Sequence, residues 1–117
     1  YYHGVDRELQ QPLSRVPPTQ GVVGMRWRDA CGAYVDGYLW LVRRADRLNF
    51  QDLTDRRIPT GGTPGYGTLN LRAGCWISPF ERVSLWVENL SDRSYRVHGS
   101  GVDGPGLSAH MGYELGY

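Results

Sequence analysis

The stretch Leu107-Ser108-Ala109-His110-Met111-Gly112-Tyr113-Glu114-Leu115-Gly116-Tyr117 alternates without a break between apolar and polar or bare positions. A period of two places all the apolar side chains on one face of an extended strand. Its length and aromatic end match a transmembrane β-strand, with lipid on one side and a wet lumen on the other. A strand of a soluble sandwich reads the same way, so the rest of the chain has to choose.

Working back from that strand, four more are expected. Gln20–Arg28 alternates Val23, Met25 and Trp27 with Gly24, Arg26 and Arg28. After a turn at Asp29–Gly32, a second strand covers about Ala33–Asp46, with Val35, Leu39 and Leu41 on one face and Asp36 and Arg44 on the other. Leu41, Ala45 and Leu48 also have helical spacing, so a helix over Tyr38–Leu48 stays open. A third strand covers about Tyr66–Ile77, and a tight turn at Ser78–Glu81 leads to a fourth from Arg82. The fourth resumes as Tyr95–His98 after Asn89–Asp92. Residues 1–18 read as irregular, because Pro12, Pro17 and Pro18 block regular structure. Residues 47–65 and 99–106 read as long loops. Short and long connections therefore alternate along an antiparallel up-and-down meander, the asymmetry of an outer-membrane barrel.

Composition limits the chemistry. The 117 residues suffice for one small domain, and a net charge of +1 gives no field for nucleic acid. All thirteen basic residues are Arg, which removes Schiff-base chemistry and a phosphate-loop lysine. Eight Tyr and four Trp against two Phe favour side chains with a polar tip, as at a membrane–water interface or a binding face. The longest apolar run, Tyr38–Val42, is far short of the roughly 20 residues of a membrane helix. The start at Tyr1 reads as a processed chain or a piece of a longer one. Gly99, Gly101 and Gly104 fit a dinucleotide pattern only formally, since Pro105 and Gly106 oppose the helix it requires. Asn89–Ser91 forms a glycosylation sequon. No hydrolase, metalloprotease or paired-carboxylate pattern is present, so no enzymatic activity, metal or cofactor is expected.

Several stretches together carry a family likeness: Pro12–Pro18 followed by Gly24–Trp27; Arg44–Leu48; Arg57–Tyr66 leading into Leu69–Arg72; and Glu88–Asp92 followed by Tyr95–Gly101. With the aromatic terminus, they resemble the C-terminal barrel segment of TonB-dependent outer-membrane receptors, in the family's order and over nearly the whole chain. The resemblance implies a wall segment of a large barrel that imports scarce nutrients such as ferric siderophores or cobalamin. It implies residues 1–18 as an outside loop and 20–117 as the last five strands. It also implies as partners the remaining barrel and plug, outer-membrane lipid, a TonB-type energy-coupling protein and the barrel-assembly machinery. Tyr113, Leu115 and Tyr117 would carry the assembly signal. Neither plug nor coupling box is in this sequence, and five strands are below the roughly eight that close a barrel. Other polypeptide would complete it, or the chain would be a small soluble all-β binding module.

Under the same resemblance, loops 47–65 and 99–106 face outside. From position alone, Phe50, Gln51, Arg56, Arg57 and the span His98–Asp103 are the candidate ligand contacts. Arg26, Arg28, Arg44 and Arg72 are expected to face the lumen, in ion pairs or toward anionic ligands. Cys31 and Cys75, expected at the same end of neighbouring strands, form either a cross-strand disulfide or two free thiols.

Overall fold

A computed structural model describes residues 5–6, 9, 11–14 and 16–116. Among the described residues, seven strands and one short helix follow in order: β1 (Val5–Asp6), β2 (Gln11–Pro12), β3 (Gln20–Arg28), β4 (Tyr34–Val42), α1 (Phe50–Thr54), β5 (Tyr66–Ser78), β6 (Glu81–Glu88) and β7 (Ser108–Leu115). β3 to β7 form one five-stranded antiparallel meander in sequence order. The connections are 29–33, 43–65, 79–80 and 89–107, so short and long alternate. The helix considered over Tyr38–Leu48 does not form, as Tyr34–Val42 is strand. Among the described residues of 1–18, a stretch expected to be irregular, Val5↔Pro12 and Asp6↔Gln11 form a two-residue antiparallel pair.

The sheet's register follows the side-chain alternation. β5 and β6 pair Arg72↔Trp86 and Gly74↔Ser84; β6 and β7 pair Arg82↔Glu114, Ser84↔Gly112 and Trp86↔His110. One face therefore carries the polar and small positions and the other carries Leu71, Ala73, Leu85, Val87, Ala109 and Met111. Within β4, β5 and β6 the buried positions are mostly polar. Thr68, Asn70, Ser84 and Asp36 are buried, whereas Met25 is 84% exposed, Met111 81% and Leu115 65%. Among the described residues, the buried apolar core is Val42, Ile58 and Tyr66.

The two short connections are tight for local reasons. Asp29 accepts the Ala33 N–H on its carboxylate at 2.8 Å, and Gly32 supplies the positive φ of 85° that closes the reversal. Ser78 and Glu81 pair directly across Pro79–Phe80.

The fourth expected strand does not resume at Tyr95–His98. β6 stops at Glu88 because Asn89 turns left-handed, at φ 51°, and Asp92 repeats the turn at φ 46°. Asn89 is 2% exposed. Its amide donates to the Arg93 and Pro105 carbonyls, and its carbonyl accepts the Arg93 N–H. Asn70 in turn accepts the Asn89 N–H at 3.0 Å. This satisfied polar knot replaces strand pairing with a loop. Residues 95–98 keep one isolated bridge, Arg96↔Asp103.

The chain divides into two compact units. One holds residues 1–21, 41–66 and 94–104, the other 22–40, 67–93 and 105–117. In the first, Ala45 and Thr63 bridge the ends of the 43–65 connection. Within that connection lies α1, which no apolar period announced. Asn49 and Asp52 form a reciprocal capping box, and Ser14 donates to the buried Asp52 carboxylate at 2.8 Å.

Candidate functional site

The polar face of the sheet is built from interleaved arginines and aromatic rings. On β4, the alternation Tyr34, Asp36, Tyr38 places two rings around one carboxylate. Arg26 of β3 meets that carboxylate with two parallel bonds, Nε to Oδ1 at 2.6 Å and Nη2 to Oδ2 at 2.7 Å. Arg28 and Arg72 also act electrostatically on Asp36. Arg72 stacks over Tyr38 at 5.5 Å and over Trp86 at 5.9 Å. Arg82 repeats the arrangement over Tyr34 at 5.5 Å and Trp76 at 5.8 Å, and approaches Glu114 at 3.6 Å. Each ring holds a guanidinium by its π-face and leaves N–H edges for other partners.

Two glycines make this packing possible. A Cβ at Gly74 would lie 2.6 Å from the Tyr34 ring, and one at Gly24 would lie 2.7 Å from the Tyr38 Cβ. Bare backbone at these positions lets the rings lie down on the sheet.

In the first compact unit, residues from both long connections meet. The Arg57 stem runs against Gly101, where a Cβ would be 2.9 Å from Arg57 Cγ. Arg57 holds Asp55 through Nε and Nη2, the latter at 2.6 Å. That hydrogen bond, then the carboxylate's charge, keep the guanidinium above its ordinary pKa. His98 Nδ1 lies 2.9 Å from the hydroxyl of Thr63, itself 2% exposed. Arg96 and Asp103 form an ion pair at 2.7 Å. Tyr66 and Tyr95 pack with ring centres 4.6 Å apart, beside Arg96 and Asp103, along a cleft of ≈340 Å³.

The expected site residues therefore fall into distinct places. Arg26, Arg28 and Arg72 share the polar face around Asp36. Arg44 does not join them: β4 ends at Val42, and Arg44 instead donates to the Gly61 carbonyl at 2.8 Å. Arg57, His98 and Asp103 belong to one loop cluster. Phe50 projects from α1 and is 69% exposed, and Arg56 is exposed in the turn that follows. The cysteines are the second of the two alternatives: Cys31 and Cys75 are free and exposed, with no disulfide formed. Tyr113 donates from its hydroxyl to Glu81, and Leu115 is exposed. Tyr117 lies outside the described residues.

Sequence reasoning missed Arg82, read only as the start of a strand. The available signal was its even-numbered register with Ser84 and Trp86, the same as Arg72 holds on β5. Chemically, the face and the loop cluster offer hydrogen-bond donation, positive charge and stacking. Among the described residues no group of three or more His, Cys, Asp or Glu stands where it could hold a metal ion.

Comparison with protein-family models and with curated proteins found no match. A solved structure does. The chain is similar to the copper transporter OprC, with a TM-score of 0.83 and 16% identity, over 98% of this chain and 20% of the transporter. It therefore spans about a fifth of that protein's length. At this identity the likeness is one of fold: the all-β, five-stranded antiparallel meander recurs in a transporter.

Proposed function

We propose that the chain forms barrel wall and outside loops of a TonB-dependent outer-membrane receptor, and serves nutrient uptake across the bacterial outer membrane. One observation carries the reading. Met25, Val35, Leu39, Leu41, Leu85 and Met111 of one face are exposed, while Asp36, Thr68, Asn70 and Ser84 of the opposite face are buried. In water such a sheet would be inside out. With lipid against Met25, Leu85 and Met111, each face has its proper solvent. A soluble binding module would have to cover that apolar face.

In this reading Arg26, Arg28, Arg72 and Arg82 line the lumen, and 43–65 and 89–107 are the outside connections. Phe50, Arg56, Arg57, His98 and Asp103 are the proposed ligand contacts. The outer edges of β3 and β7 continue into further strands, since an open edge in lipid leaves backbone groups without partners. Plug, remaining barrel, energy-coupling protein and assembly machinery are the proposed partners, and ligand capture and coupling reside mostly outside this segment. The similar fold of a copper transporter supports uptake in general. Copper, ferric siderophores and cobalamin are alternative cargoes, and the segment's own chemistry favours none of them.

Spin labels test this directly. Single-cysteine labels at Met25, Leu85 and Met111, on a Cys31→Ser, Cys75→Ser background, are placed in the polypeptide that carries this chain and reconstituted in lipid. All three should collide with oxygen more than with a water-soluble nickel chelate, and labels at Ser84 and His110 should not. Chelate-dominated collisions at both Met111 and His110 would remove the membrane reading.

A further inference from the structure

The arginines of the polar face are not equivalent. Arg26 commits its fork and its charge to Asp36, in the bidentate pair at 2.6 and 2.7 Å. Arg82 approaches Glu114 at 3.6 Å and donates to the Tyr34 hydroxyl at 3.4 Å. Arg72 has neither a carboxylate nor a hydrogen-bond acceptor among the described residues, and its guanidinium sits over the Tyr38 and Trp86 rings, at 5.5 and 5.9 Å. Asp36 is near enough to feel its charge, but both Asp36 oxygens are already taken by Arg26.

The Arg72 guanidinium is nonetheless held in place. Trp86 is its partner in the β5–β6 register, and Tyr38 comes from β4, on the other side of β5. The Tyr38 side chain is itself packed down on Gly24, where a Cβ would lie 2.7 Å from the Tyr38 Cβ. Rings against its π-faces leave the in-plane N–H edges as the open donors. A planar carboxylate meeting such an edge accepts two parallel hydrogen bonds.

Arg72 also borders a cavity of ≈530 Å³, with Val22, Gly24, Arg26, Asp36 and Tyr38 among its walls. That volume falls within the range of about 300–1,000 Å³ usual for small-molecule sites. Two guanidinium groups against one carboxylate in the lining leave one positive charge in excess, and it is the one on Arg72. Val22 and Tyr38 offer apolar surface beside it. The whole arrangement lies in one compact unit.

We propose that Arg72 and this cavity bind the carboxylate of a small organic anion with an apolar body. The assignment goes beyond the uptake reading and does not rest on it, because the site is complete within one unit and binding is measured without transport.

Benzoate is the probe, titrated calorimetrically at about 0.15 M ionic strength, where remote charges are screened. The titration uses the polypeptide that carries this chain, in non-ionic detergent. Saturable binding is expected, and benzamide, of the same shape without the charge, should bind at least about tenfold more weakly. That comparison uses the parent protein, so it needs no variant to fold. Arg72→Gln should lose at least about tenfold in affinity, and Arg72→Lys, which keeps the charge but not the planar fork, should recover only part of it. Arg82→Gln removes the same charge from the same face and should change affinity by less than about twofold. Absence of saturation up to about 10 mM benzoate would overturn the proposal. So would equal binding of benzamide, or equal losses in Arg72→Gln and Arg82→Gln, which would reduce the effect to the general charge of the face. Inorganic phosphate binding as tightly as benzoate would overturn the assignment to a carboxylate.

Discussion

Replacing Asn89 by Ala should unfasten the 89–107 connection. The side chain makes three hydrogen bonds while 2% exposed: to the Arg93 carbonyl at 2.9 Å, the Pro105 carbonyl at 3.2 Å and from the Arg93 N–H at 3.0 Å. At about 1 kcal/mol net for each, their loss costs about 3 kcal/mol. Ala must also adopt the left-handed φ of 51° that Asn tolerates, adding about 1 kcal/mol. Gly at the same position loses the hydrogen bonds but not the backbone freedom, so Asn89→Gly should cost about 1 kcal/mol less than Asn89→Ala. The assay is amide hydrogen exchange on the intact polypeptide in lipid. The informative amides are Leu90, bonded to the Leu69 carbonyl, Arg93, and Leu107, bonded to the Asp92 carboxylate at 2.8 Å. A local loss of about 3–4 kcal/mol lowers their protection by roughly a hundredfold or more, provided they exchange by local opening. Protection changed less than about threefold at Leu107 in Asn89→Ala would refute the idea that this side chain holds the connection. Equal effects of Ala and Gly would refute the contribution assigned to φ.

Two further substitutions probe the polar face and the loop cluster. Gly74→Ala puts a Cβ 2.6 Å from the Tyr34 ring, so the ring must leave the sheet and its stacking with Arg82; a cost of about 1–3 kcal/mol is expected in urea unfolding, and an unchanged midpoint would contradict it. Asp52→Ala removes the acceptor of both the Asn49 N–H and the Ser14 hydroxyl; about 2 kcal/mol of local stability should vanish from 49–54 in hydrogen exchange, with β6 and β7 unaffected.

Much of the sheet was legible because its signal is local. Leu69, Leu71, Ala73, Cys75 and Ile77 alternate strictly, and β5 runs Tyr66–Ser78. The same logic failed at Tyr95–His98, where Tyr, Val and their neighbours mimic a strand but the backbone pairs only at Arg96↔Asp103. There the buried Asn89 knot outweighed strand propensity, and its partner Pro105 lies too far along the chain for a window of residues to reveal. The helix α1 was missed because five residues carry no readable apolar period, although Asn49 three places before Asp52 is the capping pattern itself. Arg44 was placed on the sheet by extending a parity that ends at Val42.

The sequence by itself determined that this is an antiparallel meander with one apolar and one polar face. Period-two alternation and turn residues are properties of neighbours, and neighbours suffice to express them. Only the tertiary structure decided that Asp36, Thr68, Asn70 and Ser84 are buried, that Arg82 rests between Tyr34 and Trp76, and that His98 joins Arg43, Arg44 and Arg47 around one cavity. Arg82 and Tyr34 stand 48 positions apart. Their meeting depends on the register of successive strand pairs, and a slip of one residue in any pair would turn a whole strand's side chains to the other face.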